Sequence, residues 1–202
     1  MKPYYQDSWV TIYHGDCREI LPQLDVKVDL VLTDPPYGID IANNPFRQKF
    51  SKANWDSVPI DKYTLDSVIS CASKSIVWGG NYFDLPPTKC FLVWDKYQPQ
   101  EFSSAMCEQV WTNLNMPAKI YREWVVNYQK WHPTQKPEGL FCWCIELVGN
   151  GTDLILDPFL GSGTTCYCAK KLNMHSIGIE IEEKYCEIAA KRCSQEVMEL
   201  GI

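Results

Sequence analysis

Two corners of the sequence carry residues able to do chemistry. The first is Asp34, Pro35, Pro36, Tyr37 and Gly38, directly behind the aliphatic run "VDLVLT" at 28–33. Each proline ring fixes its own φ and restricts the residue before it, so an aspartate set against two prolines is held in one place. The second is "DPFLGSGTT" at 157–165, where Asp157, Pro158 and Phe159 lead through Gly161, Ser162 and Gly163 into a helix opening at Thr164 and Thr165. Glycines at a strand-to-helix turn let the backbone approach a ligand closely, and the helix start offers free N–H groups. Something polar is expected over that turn. After the helix, "HSIGIEIE" forms a second strand ending in Glu180. In doubly wound folds an acid at that position binds the two hydroxyls of a ribose, which implies a nucleoside-containing cofactor. The turn lacks the full G-x-G-x-x-G spacing, so a nicotinamide cofactor is disfavoured. Taken singly, each corner keeps a plainer reading: Asp34 as a turn cap and Glu180 as a solvated charge at a strand end.

The elements that must position these corners are short. Strand-like runs occur at "WVTIYHGD", "VDLVLTD", "KSIVWGG", "KCFLVWD", "TDLILDP" and "HSIGIEI". Apolar residues at Cys17, Ile20, Leu21 and Leu24, at Leu65, Val68, Ile69 and Ala72, and at Tyr185, Ile188, Ala189, Cys193 and Val197 fall at helical spacing. "PEGLFCWCIELVGN" is apolar almost all round and predicts a buried helix with proline near its first turn. Strands rich in Val, Ile and Leu alternating with helices indicate an α/β fold with a mainly parallel sheet covered on both faces. Residues 39–60 and 97–131 resist assignment; loops of that length are often functional.

At 202 residues, 46% of them hydrophobic, the chain fits a single globular domain over 1–202. No run of about 18 apolar residues marks a membrane span, and the start lacks a signal-peptide layout, so a cytoplasmic protein is expected. Several of the ten cysteines sit inside apolar segments such as "LFCWCIEL", which predicts free buried thiols. Without C-x-x-C spacing, and with three scattered histidines, no metal site is expected. A net charge of −6 means that a polyanion must be held by a local basic patch.

"DPPYG" at 34–38 and "DPFLGSGTT" at 157–165, in that order, with "HPTQKP" at 132–137 between them and "YHGD" at 13–16 near the start, resemble the β group of amino-methyltransferases that act on DNA. The resemblance covers most of the chain outside 39–60 and 97–131. It implies a Rossmann-like methyltransferase fold in circularly permuted order, since Asp157 follows Asp34 by 157 − 34 = 123 residues. The helix 183–199 should then lie beside "WVTIYHGD". It further implies S-adenosylmethionine as methyl donor, a flipped-out base in double-stranded DNA as acceptor and a restriction-modification setting. Asp34 and the Pro35 carbonyl would accept one N–H each from the exocyclic amine, Pro36 would fix that carbonyl, and Tyr37 would lie against the base.

On the cofactor side the resemblance implies that Phe159 to Thr165 wrap the methionine part, that Glu180 takes the ribose and that Asp16 and Cys17 touch the adenine or ribose. Lys136 either pairs with the methionine carboxylate or covers the surface. His132 reads as a structural hydrogen-bonding residue. Two segments mix cations with aromatics and are expected to contact DNA: Arg47, Lys49, Lys52 and Lys62 with Phe46, Phe50 and Trp55, and Lys119, Arg122 and Lys130 with Tyr121, Trp124, Tyr128 and Trp131; the aromatics of the second also read as the buried face of edge strands. Aspartate in DPPY leans toward adenine N6. Cytosine N4 is the alternative acceptor, and a non-catalytic subunit presenting DNA to a partner is a further one. With so little chain for reading sequence, specificity is slight, read from a short site, or assembled by a homodimer.

Overall fold

The computed structural model describes residues 1–39, 57–101, 105–124, 130–149 and 151–195. Among these, nine strands form one sheet. Its centre is β3, Val28–Thr33, flanked by β8, Leu154–Asp157, and β4, Ala72–Trp78, both parallel to it. Beyond β8 lie β9, His175–Glu180, and β2, Val10–His14, again parallel, and then the short antiparallel β1, Tyr5–Gln6. On the other side β4 pairs with the antiparallel β6, Cys107–Thr112, which carries β5, Phe91–Asp95, and then the edge strand β7, Lys119–Arg122.

The aliphatic runs are continuous because helices cover both faces of the strands that carry them. Leu30 and Leu32 of β3, fully buried, pack toward Leu140, Phe141 and Ile145 of α3, Glu138–Val148, and toward Cys168 and Ala169 of α4, Thr164–Lys171. Val31, on the opposite face of the strand, and Val28, at its start, belong to a second cluster with Ile20 of α1, Cys17–Ile20, and Val68 of α2, Lys62–Ser70. Each such aliphatic side chain taken out of water contributes about 1.5–3 kcal/mol before the entropy of ordering it is counted.

The last helix, α5, Glu183–Ser194, lays Cys186, Ala189 and Cys193 against Val10 and Ile12 of β2. Lys170 Nζ joins the two regions, 2.6 Å from Asp7 Oδ2 and 2.7 Å from the Cys193 carbonyl. The end of the expected helix, beyond residue 195, lies outside the described residues. All ten cysteines are free thiols, and no described helix is long and apolar enough to cross a membrane.

The sheet departs from the sequence reading at β1, which lies in no strand-like run, at Ala72, which falls at the helical spacing of α2 but opens β4, and in one longer region. Residues 97–131 carry β6 and β7, and β6 runs against its neighbours. Both are short and without an aliphatic run: β7 is the edge strand, with no buried residue, and β6 is buried only over its last three residues, Val110–Thr112. Phe46, Arg47, Lys49, Phe50, Lys52, Trp55 and Tyr128 lie outside the described residues.

Because β2, β9, β8, β3 and β4 are all parallel, their carboxyl ends share one rim. The chain winds outward from β8 to β9 on one side and from β3 to β4 on the other, so the crevice between β8 and β3 is a topological switch point, where open α/β sheets bind ligands.

Candidate active site

Both acidic corners open into one cavity at that rim, of about 430 Å³, within the roughly 300–1,000 Å³ usual for small-molecule sites. Asp34, Pro36 and Lys136 of the acceptor corner line it together with Glu180, Gly161 and Ser162 around the glycine turn. Asp16, Cys17, Asp157, Pro158, Phe159, Thr164 and Thr165 complete the predicted residues on its wall. Pro35 is buried and, like Tyr37 and Gly163, is not part of that wall.

The glycine turn is built tightly. Gly163 has φ +85°, and a Cβ there would stand 2.7 Å from the Ala189 Cβ of α5, so only glycine lets helix and turn approach this closely. Arg192, buried on α5, donates from Nη1 to the Ser162 carbonyl at 2.6 Å and from Nη2 to Glu138 Oε1 at 2.9 Å. It therefore braces the turn from behind. Nothing in its sequence context separated it from a solvated helix charge.

Glu180 accepts backbone N–H bonds from Gly161 at 2.7 Å and from Glu182 at 2.8 Å, which fixes the carboxylate beside the turn. Burial pushes it up to about 7, against the pull of those two donors. Asp157 is used internally: Thr33 Oγ1 donates to Oδ1 at 2.7 Å and Thr165 Oγ1 to Oδ2 at 2.5 Å. Burial likewise raises it, to about 6. Asp157 thus shapes the turn and presents little free acceptor to a ligand. Asp16 caps α1 through the Arg18 N–H.

In the acceptor corner both oxygens of Asp34 are engaged. Oδ1 accepts from the Tyr37 hydroxyl, and Oδ2 lies 2.6 Å from Lys136 Nζ. Burial raises Asp34 above the ordinary carboxylate range, and the Lys136 charge partly opposes it. The Lys136 ammonium therefore sits on the acceptor corner, not over the glycine turn. It also stands 3.2 Å from Glu108 Oε2 and over the rings of Trp78 and Tyr37. Glu108, whose burial alone would raise it, is held down at about 2 by Lys136 and Lys96.

The Tyr37 ring stacks on Tyr82, with centroids 4.8 Å apart, in a seat made by Gly79. Gly79 has φ +68°, and a Cβ on it would come within 2.3 Å of the Tyr37 ring. The Pro36 carbonyl accepts from the Ile60 N–H at 3.3 Å, tying the corner to residues 58–61 of the cavity wall.

One segment reaches both ends. Gln135 Oε1 accepts from Ser162 Oγ at 3.1 Å, His132 packs edge-on against Tyr185 with centroids 4.3 Å apart, and Lys136 holds Asp34. "HPTQKP" is thus the clasp between the two corners. Of the expected DNA-contacting residues, Trp124 and Trp131 stand half exposed, and Arg122 Nε pairs with Asp95 Oδ2 at 3.3 Å. Glu108, Lys96, Gly79 and Tyr82 were missed by the sequence reading.

A family profile described as DNA methylase matches residues 80–191. Among curated relatives, the chain is similar to the type II methyltransferase M2.DpnII of Streptococcus pneumoniae, 26% identical over 250 aligned positions that cover 96% of this chain and 93% of that protein. It is also similar to the type II methyltransferase M.HpaI of Haemophilus parainfluenzae, 42% identical over 84 residues. That match takes in 40% of this chain and 27% of M.HpaI, so it spans about a quarter of the longer protein. Among solved structures, the cytosine-N4-specific PvuII DNA methyltransferase gives a TM-score of 0.69 at 18% identity, covering 98% of this chain and 90% of the other. The M1.HpyAVI–SAM complex gives 0.63 at 23%, covering 92% and 100%. At those identities the structural likeness is one of fold.

Proposed function

The chain belongs to the DNA methylase family, whose profile matches more than half of its length, and from that premise we propose that it transfers a methyl group from S-adenosylmethionine to the N6 amine of adenine in double-stranded DNA. One observation carries this reading: Asp34 and Glu180 line the same cavity at the switch point of the sheet.

The cofactor end fits the donor. Glu180 would take the ribose hydroxyls, the backbone from Phe159 to Thr165 would follow the methionine part, and Asp16 and Cys17 would flank the nucleoside from β2. When bound, S-adenosylmethionine supplies an electrophilic methyl group on a positively charged sulfur.

The remaining work falls to the acceptor corner. An exocyclic amine is a poor nucleophile because its lone pair is delocalised into the ring. Asp34 and the Pro35 carbonyl, each accepting one N–H, favour a pyramidal nitrogen with its lone pair directed along the cavity, and Asp34 can then receive the proton that the methylated nitrogen loses. Tyr37 orients the carboxylate through its hydroxyl, while its ring is braced by Tyr82. The contribution is one of positioning and preorganised electrostatics. Lys136, spent on Asp34 and Glu108, serves this end and not the methionine carboxylate.

Incubating the purified protein with labelled S-adenosylmethionine and duplex DNA from an unmethylated host, followed by nucleoside digestion and mass analysis, tests the reading. N6-methyladenine is the expected product. N4-methylcytosine would replace the adenine assignment, and unlabelled DNA together with intact cofactor binding would favour a DNA-presenting subunit.

A further inference from the structure

Two of the four ionisable side chains that meet beside the acceptor corner enter no step described above. Asp34, Lys136, Glu108 and Lys96 form a chain of alternating charge, with Lys136 Nζ 2.6 Å from Asp34 Oδ2 and 3.2 Å from Glu108 Oε2, and Lys96 Nζ 2.6 Å from Glu108 Oε1. Glu108 is the second residue of β6 and Lys96 directly follows β5, so the rigid antiparallel pair holds both. Lys136 is 5% exposed.

The arrangement poses a conflict. A target amine needs an Asp34 oxygen as acceptor, yet one oxygen takes the Tyr37 hydroxyl and the other takes Lys136. A buried ammonium that lost its only carboxylate would be left uncompensated, which is costly. Lys136 already shares its charge between two carboxylates, the second, Glu108, 3.2 Å away.

We infer that Glu108 is a positioning residue that takes over the Lys136 ammonium when a substrate amine claims Asp34 Oδ2. The ammonium keeps its proton throughout; only its hydrogen bonds move. Lys96 anchors the receiving carboxylate. The inference rests on the role of Asp34 as amine holder.

E108Q keeps the shape of the side chain and removes its charge, leaving Lys136 to Asp34 alone. With duplex DNA from an unmethylated host, kcat is expected to fall about 10- to 100-fold, the span of one to two tenfold steps in barrier height, with S-adenosylmethionine affinity unchanged. The loss should disappear when Lys136→Met is already present, because the two act on one contact. E108D, a shorter carboxylate, should recover part of the rate, and it stands in for E108Q if that variant fails to fold. Wild-type kcat in both Glu108 variants, or losses that simply add to those of Lys136→Met, would overturn the inference while an inactive Asp34→Ala still upheld the role of Asp34. An inactive wild type would overturn the role of Asp34 itself, and this inference with it.

Discussion

Thr33 Oγ1 donates a 2.7 Å hydrogen bond to Asp157 Oδ1, joining the last residues of neighbouring strands that lie 124 positions apart in the chain. The acceptor corner begins one residue after Thr33 and the segment leading into the glycine turn begins at Asp157 itself, so this bond ties the two corners together.

Thr33→Val should therefore destabilise the fold in a pH-dependent way. Burial raises the Asp157 carboxyl to about 6, above the 3.8 of an ordinary aspartate, so its share of stability is complete below about 3.8 and is lost as pH rises through 6. Removing a donor to the carboxylate widens that loss. Urea denaturation should give a drop of about 1–3 kcal/mol at pH 8, the cost of an unsatisfied buried acceptor, and a smaller one at pH 5. Equal drops would show that Thr33 acts through packing alone.

Asp34→Ala should lower methyl transfer at least about 100-fold, the scale seen when one preorganised hydrogen-bonding group is removed from an active site. Cofactor binding, followed by calorimetry, should persist, since the Asp34 carboxylate bonds Tyr37 and Lys136 and neither Glu180 nor the glycine turn. A variant that binds cofactor and methylates normally would remove Asp34 from the chemistry.

Cofactor affinity should strengthen as pH rises toward 7 and level off above it. Glu180, raised by burial to about 7, must shed its proton to accept two hydroxyl donors, so binding releases a proton wherever the free carboxyl is protonated. The slope should approach about tenfold per pH unit well below 7, as linkage to a single proton requires. Glu180→Gln should bind weakly with a flat profile; a flat profile in the wild type would mean that another group holds the ribose.

Gly79→Ala should disturb catalysis without touching the cavity wall. A side chain at φ +68° costs about 1–2 kcal/mol, and the new Cβ would collide with the Tyr37 ring. A lower melting temperature together with a reduced kcat is expected, because the Tyr37 hydroxyl leaves Asp34 when the ring moves. Loss of stability with unchanged kcat would confine Tyr37 to packing.

The strands of the parallel half were legible because burial on both faces writes them as unbroken aliphatic runs, "VDLVLT" above all. Both corners were legible for the complementary reason: proline and glycine at strand ends mark backbone that only those residues can supply. Glu108 and Lys96 were not. They sit where an antiparallel pair closes the sheet, and a strand such as "CEQVWT" carries no aliphatic signal. Its acid gains meaning only from a lysine 28 positions later in the chain. The Tyr37 ring was expected to face a base; its stacking on Tyr82 depends on the Gly79 seat, a relation between elements that periodicity does not record.

The alternating charges beside Asp34 have a consequence for the first encounter with a polyanion. The protein carries a net charge of −6, and an unmatched carboxylate in the acceptor corner would add to the repulsion of an approaching phosphate backbone. Two acids matched by two ammonium groups sum to zero at that spot. A duplex phosphate within a Debye length, about 8 Å in physiological salt, thus meets no added repulsion from the acceptor corner.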